Sequence, residues 1–235
     1  MDSLIIGAGE VGKSLGSVLG AVYSVGYKDL EPRDLPERVA VMHVCLRYSD
    51  DFLAVVKDYA KKCNPWIIDV CSTVPPGTTE KLGPTACHST TRGLHPNLGE
   101  SIKTFVKHIG GPKADELAGY YEKAGVKTLT HSNAKTTELA HILSNTLYGI
   151  NLMAADEFQA ICRNYGVDYT EAVLAYNKTS NEGYVKLGHP SKLRMLLTPP
   201  NGFIGGHCVR QGAALLPGDT RTPLVNQLAN HGMKQ

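Results

Sequence analysis

The sequence lacks any apolar run approaching the roughly 20 residues that cross a bilayer, so no membrane role is expected. A basic stretch leading into an apolar leader is also missing, because glycines interrupt the N-terminal region. Neither sign of charge dominates: 24 Lys and Arg stand against 22 Asp and Glu, with no long basic run. That balance gives no electrostatic case for a nucleic-acid partner. Cysteine pairs are absent too: Cys45, Cys63, Cys71, Cys87, Cys162 and Cys208 form no Cys-x-x-Cys spacing. Cys45 and Cys71 fall in strand-like runs and read as buried, reduced thiols, which points to the cytoplasm. There is no internal repeat and no low-complexity tract. What remains is a chain of 235 residues, long enough for one large domain or two small ones.

The most informative stretch is Ser3-Leu4-Ile5-Ile6-Gly7-Ala8-Gly9-Glu10-Val11-Gly12. An apolar run enters a loop with glycines at its first, third and sixth positions. Ser14, Leu15, Val18 and Leu19 then take helical spacing. A strand feeding a helix through such a loop can seat a diphosphate on the helix N-terminus. Gly7 permits the turn, Gly9 lets the backbone approach phosphate, and Gly12 lets helix and strand pack closely. Glu10 and Val11 supply the first-turn amides. This reads as a dinucleotide site. The following strand is expected at Ala21 to Val25, which leaves Asp29 late for a ribose-binding acid. Lys28 could instead face a 2′-phosphate, so NAD and NADP both fit.

Val39 to Leu46 is the next predicted strand. Only about a dozen residues separate it from the strand before, too few for a crossover helix with its own strand. Asp50 to Lys62 reads as an amphipathic helix capped by Asp50 or Ser49, and Trp66 to Val70 as a buried strand. The loop from Cys71 through Ser72, Thr73, Pro75, Pro76 and Gly77 to Glu80 should lie at the carboxyl edge of the sheet, where ligands bind. Its hydroxyls are candidates for cofactor or substrate contact. Cys87-His88 and His95-Pro96-Asn97 read as loop histidines near a cleft. Nothing spaced like a metal set completes them, so no metal is expected. A strand at Phe105 to Ile109, a helix at Pro112 to Ala124 and a strand at Val126 to Thr130 close the domain.

From Asn133 to about Tyr165 apolar residues recur at three- and four-residue steps: Leu139, Leu143, Leu147, Ile150, Phe158, Ile161 and Tyr165. One helix of roughly 45 Å is predicted, too apolar to stand free, so it should be covered by later helices or by a second subunit. Further helices are read at Tyr169 to Tyr176 and Leu224 to Ala229. The expected architecture is therefore α/β: a Rossmann-like parallel-sheet domain over 1–132, then an all-helical domain over 133–235 built on one long helix.

Two groups carry candidate chemistry. Glu138, His141 and Asn145 share one helix face, and an imidazole held by a carboxylate can act as acid and base near neutral pH. Near the other end, Thr198 to Cys208 is rich in glycine and proline. Room around Cys208 would let its thiolate attack an aldehyde, with His207 or Arg210 lowering its pKa.

With Gly7-x-Gly9-x-x-Gly12, Ser72-Thr73-Val74-Pro75-Pro76-Gly77-Thr78-Thr79-Glu80, the helix around Glu138 to Glu157, and Gly205-Gly206-His207-Cys208 in order, the chain resembles the UDP-glucose 6-dehydrogenase family of nucleotide-sugar dehydrogenases. That group lies within the wider 6-phosphogluconate dehydrogenase-like proteins. The resemblance implies two hydride transfers to NAD, with Cys208 as the nucleophile of a thiohemiacetal and then a thioester. It implies that Thr73 positions water, that Asn145 stabilises the oxyanion, and that the long helix forms a homodimer core. Three departures go with it. His141 stands where the family has a lysine, and Gln211 and Gly212 stand where it often has Lys-Asp. The chain also ends at Gln235, before the family's third, nucleotide-closing domain.

The reading is a shortened NAD(P)-dependent dehydrogenase of a small alcohol, sugar or hydroxy acid. His141 is its acid/base group, Asn145 the polariser, and Thr73 and Cys208 lie on the substrate side. The alternative is a dinucleotide-binding or regulatory protein of the same fold with impaired catalysis.

Overall fold

The computed structural model describes residues 1–29, 34–94, 96, 98–200, 204 and 207–230, apart from the side chains of His207 and Cys208. His95, Asn97, Gly205 and Gly206 lie outside the described residues. The chain divides into two compact units, Met1–His141 and Ile142–Gln235.

The first unit is a seven-stranded sheet. Its strands are β1 (Ser3–Ile6), β2 (Val25–Lys28), β3 (Val41–Val44), β4 (Ile67–Val70), β5 (Ala86–Ser89), β6 (Lys107–Gly110) and β7 (Thr128–His131). They lie in the order β2-β1-β3-β4-β5-β6-β7. Every pairing is parallel except β5 with β6, which is antiparallel. The order reverses around β1, so the crevice beyond β1 and β3 is a topological switch point, where open α/β sheets bind ligands.

Alternation along the short strands gives each face its own core. Leu4, Ile6, Met42, Val44, Ile68 and Val70 pack with Phe52, Val56 and Cys63 of helix α2 (Phe52–Cys63). Ile5, Val41, Ile67 and Ile109 pack with helices α1 (Glu10–Leu19), α3 (Leu98–Thr104) and α4 (Ala114–Lys123) on the other face. Each large apolar side chain buried here contributes roughly 1.5–3 kcal/mol relative to exposure.

Several boundaries differ from the sequence expectation. The second strand is Val25–Lys28, not Ala21 to Val25. Ala21 and Val22 form the turn after α1, and Val22 is exposed, so an apolar turn imitated a strand. Asp29 consequently follows β2 directly and is not late. The cap of α2 is Asp51. Trp66 precedes β4 and is exposed, with Lys113 Nζ 4.3 Å from its ring centroid. Phe105 likewise precedes β6, beside Arg92. His88 lies inside β5, fully buried, and is no loop histidine.

Helix α5 (Ala134–Asn164) begins in the first unit and continues into the second. The second unit is helical among the described residues. A π-helical turn at Thr170–Ala175 leads into α6 (Tyr176–Lys186), followed by α7 (His207–Ala214) and α8 (Pro223–Ala229). Met153 packs with Val209, Ala213 and Leu228, and Ala155 with Cys162 and Tyr169. Of the apolar stripe read from the sequence, Leu143, Leu147, Phe158, Ile161 and Tyr165 are exposed in the single chain, not covered by its later helices. Ile142, Met153, Ala155 and Cys162 are the buried hydrophobic residues of this helix beyond its first turn. No helix among the described residues is long and apolar enough to cross a membrane.

Candidate functional site

The glycine loop has the geometry its spacing requires. Gly7 has φ of +95°, in the region that favours glycine. A Cβ on Gly12 would sit 2.0 Å from the Gly7 carbonyl oxygen, so helix and strand touch backbone to backbone there. A Cβ on Gly9 would meet nothing within 4 Å. Gly9 caps α1 without a side-chain hydrogen bond, and the first intrahelical bond runs from Lys13 to Gly9. The helix's first turn, Glu10 to Gly12, thus opens from Gly9 at the carboxyl edge of β1. An open approach to a helix N-terminus suits a diphosphate.

The loop after β4 starts at the same carboxyl edge. Thr78 N–H donates to the Pro75 carbonyl at 3.1 Å, with Pro76 and Gly77 between them and Gly77 at φ +87°. That is a type II turn, which proline and glycine specify in those two positions. Three ties hold it to the first turns of α5. The Glu138 carboxylate accepts from the amides of Gly77 (2.5 Å) and Thr79 (2.8 Å). His88 bridges the Ser72 carbonyl (3.3 Å) and Thr137 Oγ1 (2.9 Å). Thr73 Oγ1 lies 3.1 Å from His141 Nε2.

These bonds reassign two residues. Glu138 shares a helix face with His141, but its carboxylate holds the loop amides. His141 meets Thr73 instead, 68 residues away in sequence. The Ser72 hydroxyl is buried and donates to the Val44 carbonyl at 3.1 Å, so it ties β4 to β3. His88 is the positioning residue that sequence reasoning missed. Burial holds its pKa down, to about 3, with the neighbouring His141 adding to the effect. The His141 imidazole is also pulled below its ordinary value, by burial first and then by the charges of Lys107 and Arg92. Both rings are neutral at neutral pH, and a neutral His141 can accept a proton. Asn145 follows one turn later on α5. Cys208 is the second residue of α7.

His88 makes stability depend on pH. Between about 6.5 and 3 the unfolded chain binds a proton that the folded chain does not. Its contribution is fully present above pH 6.5 and is lost on acidification. From pH 6.5 to 5 the loss should approach about 2 kcal/mol. Urea denaturation at the two pH values checks this, and His88→Gln should flatten the dependence. An unchanged slope in the variant would remove His88 as the cause.

No family model matches the chain. Among curated proteins, the UDP-N-acetyl-D-mannosamine dehydrogenase of Methanocaldococcus jannaschii is 28% identical over 218 residues, covering 82% of this chain and 47% of that protein. A protein of the same name from Methanococcus maripaludis is 31% identical over 155 residues, 61% of this chain and 33% of its own length. The chain thus spans less than half the length of the curated relatives it matches. The solved structure of UDP-D-ManNAc dehydrogenase from Pyrococcus horikoshii aligns with TM-score 0.72 at 19% identity, over 97% of this chain and 67% of that one. The 3-hydroxyisobutyrate dehydrogenase of Mycobacterium tuberculosis aligns with TM-score 0.71 at 14% identity, over 98% and 92%. At these identities the solved structures speak to the fold.

Proposed function

We propose, taking as premise that this chain is a homologue of the nucleotide-sugar dehydrogenases, that it binds a nicotinamide dinucleotide and oxidises a small alcohol. The observation that carries the chemistry is the Thr73–His141 pair at the carboxyl edge of the sheet, 3.1 Å apart. A nicotinamide, when bound, supplies the hydride acceptor. The amides of Glu10, Val11 and Gly12 would hold its diphosphate, with Gly9 leaving the approach open. Asp29, directly after β2, suits the hydroxyls of an NAD ribose, and Lys28 suits the extra phosphate of NADP.

The Thr73 hydroxyl accepts the proton of the substrate alcohol and passes its own to His141 Nε2. Asn145 polarises the carbonyl oxygen as it forms. The substrate class is an alcohol, sugar or hydroxy acid. Cys208, in the first turn of α7, is assigned the second oxidation, because a helix N-terminus favours a thiolate. Through the exposed apolar stripe of α5, two copies would form a homodimer.

Fluorescence titration with NADH and NADPH, then turnover on a panel of alcohols, tests the reading. His141→Ala should lower kcat by about 10²–10⁴-fold with dinucleotide affinity unchanged. Full activity in that variant would remove His141 from the mechanism. Dinucleotide binding without turnover on any alcohol would leave the binding-protein reading in its place.

A further inference from the structure

On the face of the sheet that packs against α4, the register of β3 and β4 sets His43 beside Asp69. Cys71 follows two residues on and points to the same face, and Tyr121 of α4 closes over them. All four are buried. Asp69 Oδ2 lies 2.7 Å from His43 Nδ1, 3.3 Å from Cys71 Sγ and 2.5 Å from Tyr121 Oη. The Tyr121 oxygen is in turn 3.2 Å from His43 Nδ1 and 3.9 Å from Cys71 Sγ. The donor atoms of His43, Asp69 and Cys71 all fall within 4.8 Å of one another.

We propose that His43 Nδ1, Asp69 Oδ2 and Cys71 Sγ form a structural binding site for Zn²⁺, with Tyr121 Oη at the fourth corner. Four donors at the corners of a compact polyhedron are what a tetrahedral ion needs. Bonds of ~2.0–2.3 Å to zinc imply edges of ~3.3–3.8 Å. Tyr121 Oη to Cys71 Sγ is already 3.9 Å, and the edges from Asp69 Oδ2 to His43 Nδ1 and Tyr121 Oη are shorter because hydrogen bonds draw these donors together. Replacing the shared protons by one ion would push them apart by about 0.5 Å.

Two further observations point to a ligand. Asp69 Oδ1 is buried and accepts no hydrogen bond among the described residues. A buried carboxylate oxygen without a donor is costly, and an ion held by Oδ2 and within reach of Oδ1 as well would relieve it. His43 also has the outer support that metal-bound imidazoles use: its Nε2 lies 3.3 Å from Ser3 Oγ, which is 2.6 Å from Tyr120 Oη. Facing the Asp69 carboxylate at 2.7 Å, Nδ1 carries a proton; an ion would take that proton's place on Nδ1, and Nε2–H would then donate to Ser3. Lys107 is the nearby cation, and its charge helps hold the Asp69 carboxyl below its ordinary value. Its Nζ donates to the Thr90 carbonyl at 3.1 Å and lies over the Tyr121 ring, 4.8 Å from the centroid.

The donor set selects the ion. One nitrogen, one sulfur and carboxylate oxygen exclude magnesium and calcium, which want oxygen alone, and favour zinc or its spectroscopic substitute cobalt. The ion would tie β3, β4 and α4 together just below Ser72 and Thr73. Sequence spacing hides such a site, because its ligands are brought together by strand register.

The test uses the full chain, reduced and refolded from denaturant with Co²⁺ or Zn²⁺ present, since the site is closed in the folded state. Cobalt should bind at about one equivalent with tetrahedral d–d bands and a thiolate-to-metal charge-transfer band. Cys71→Ser should lose the charge-transfer band, while Cys63→Ser, on the opposite sheet face, should keep it. X-ray absorption on zinc-loaded wild-type protein needs no variant and should show one sulfur and three nitrogen or oxygen neighbours. Absence of a thiolate band, its survival in folded Cys71→Ser, or a zinc shell without sulfur would overturn the proposal. A sulfur-free shell would also be the signature of ions on the His108–His131 pair, whose nitrogens lie 2.9 Å apart.

Discussion

Alanine at Gly12 is expected to strip the protein of much of its stability, whereas alanine at Gly9 should leave it folded. The added methyl at Gly12 would lie 2.0 Å from the Gly7 carbonyl oxygen and 3.0 Å from Ile5 Cγ2. Neither neighbour can yield cheaply. The Gly7 oxygen belongs to a turn already pinned at φ +95°, and a Cβ at Gly7 would itself stand 2.8 Å from the Cys45 oxygen. The clash must therefore move α1 off the sheet. Overpacking costs typically ~1–3 kcal/mol and more against fixed backbone, out of a total near ~5–15 kcal/mol. Thermal unfolding of Gly12→Ala should fall by at least about 6 °C. Gly9→Ala meets no atom within 4 Å and should melt like the parent. Its methyl fills the approach to the first-turn amides, so dinucleotide affinity should drop at least about tenfold, or ~1.4 kcal/mol. Loss of stability at both positions, or at neither, would break the link between this loop and a bound diphosphate.

That contrast also shows what the sequence could tell. The glycine spacing announced the turn because each glycine answers a different steric demand, and those demands recur wherever a strand meets a helix over a phosphate. The long helix was equally legible, since a 3.6-residue period held over some thirty positions leaves no strand alternative. Its buried side was not. Leu143, Leu147 and Phe158 repeat in good register, yet they face outward while Ile142 and Met153 are buried. Periodicity marks an apolar stripe without naming what covers it.

The site was legible in part. Thr73 and His141 could each be picked out by type, but only the fold brings them together. Glu138 was singled out for a carboxylate's effect on a neighbouring imidazole, and it holds two amides of a loop distant in sequence. Backbone donors carry no residue type, so no reading of side chains could have found them. His88 was misplaced because proline and polar residues around His95 make the whole stretch look like loop. The strand that contains His88 is four residues long and has little apolar signal of its own. The second strand slipped for the opposite reason, an apolar turn where a polar one is usual.

Asp69→Ala is the other substitution expected to have a large effect, measured with chelator present so that no metal contributes. The carboxylate pairs with His43 at 2.7 Å with both side chains fully buried, and it accepts the Tyr121 hydroxyl. Removing one partner of a buried pair typically costs ~3–5 kcal/mol, because the other keeps its desolvation cost without compensation. Replacing both partners by apolar side chains should recover most of that loss, and the double-mutant cycle measures their coupling. A second pair supplies the control. Lys62 and Asp58 lie 2.6 Å apart one helical turn from each other, with side chains 55% exposed on each partner. Water already solvates both groups there, so Asp58→Ala should change the urea midpoint little. The two pairs have nearly the same separation and opposite environments. If Asp69→Ala and Asp58→Ala shift the midpoint equally, burial is not the source of the difference, and the polar cluster under β3 and β4 is no more than a surface pair that happens to be covered.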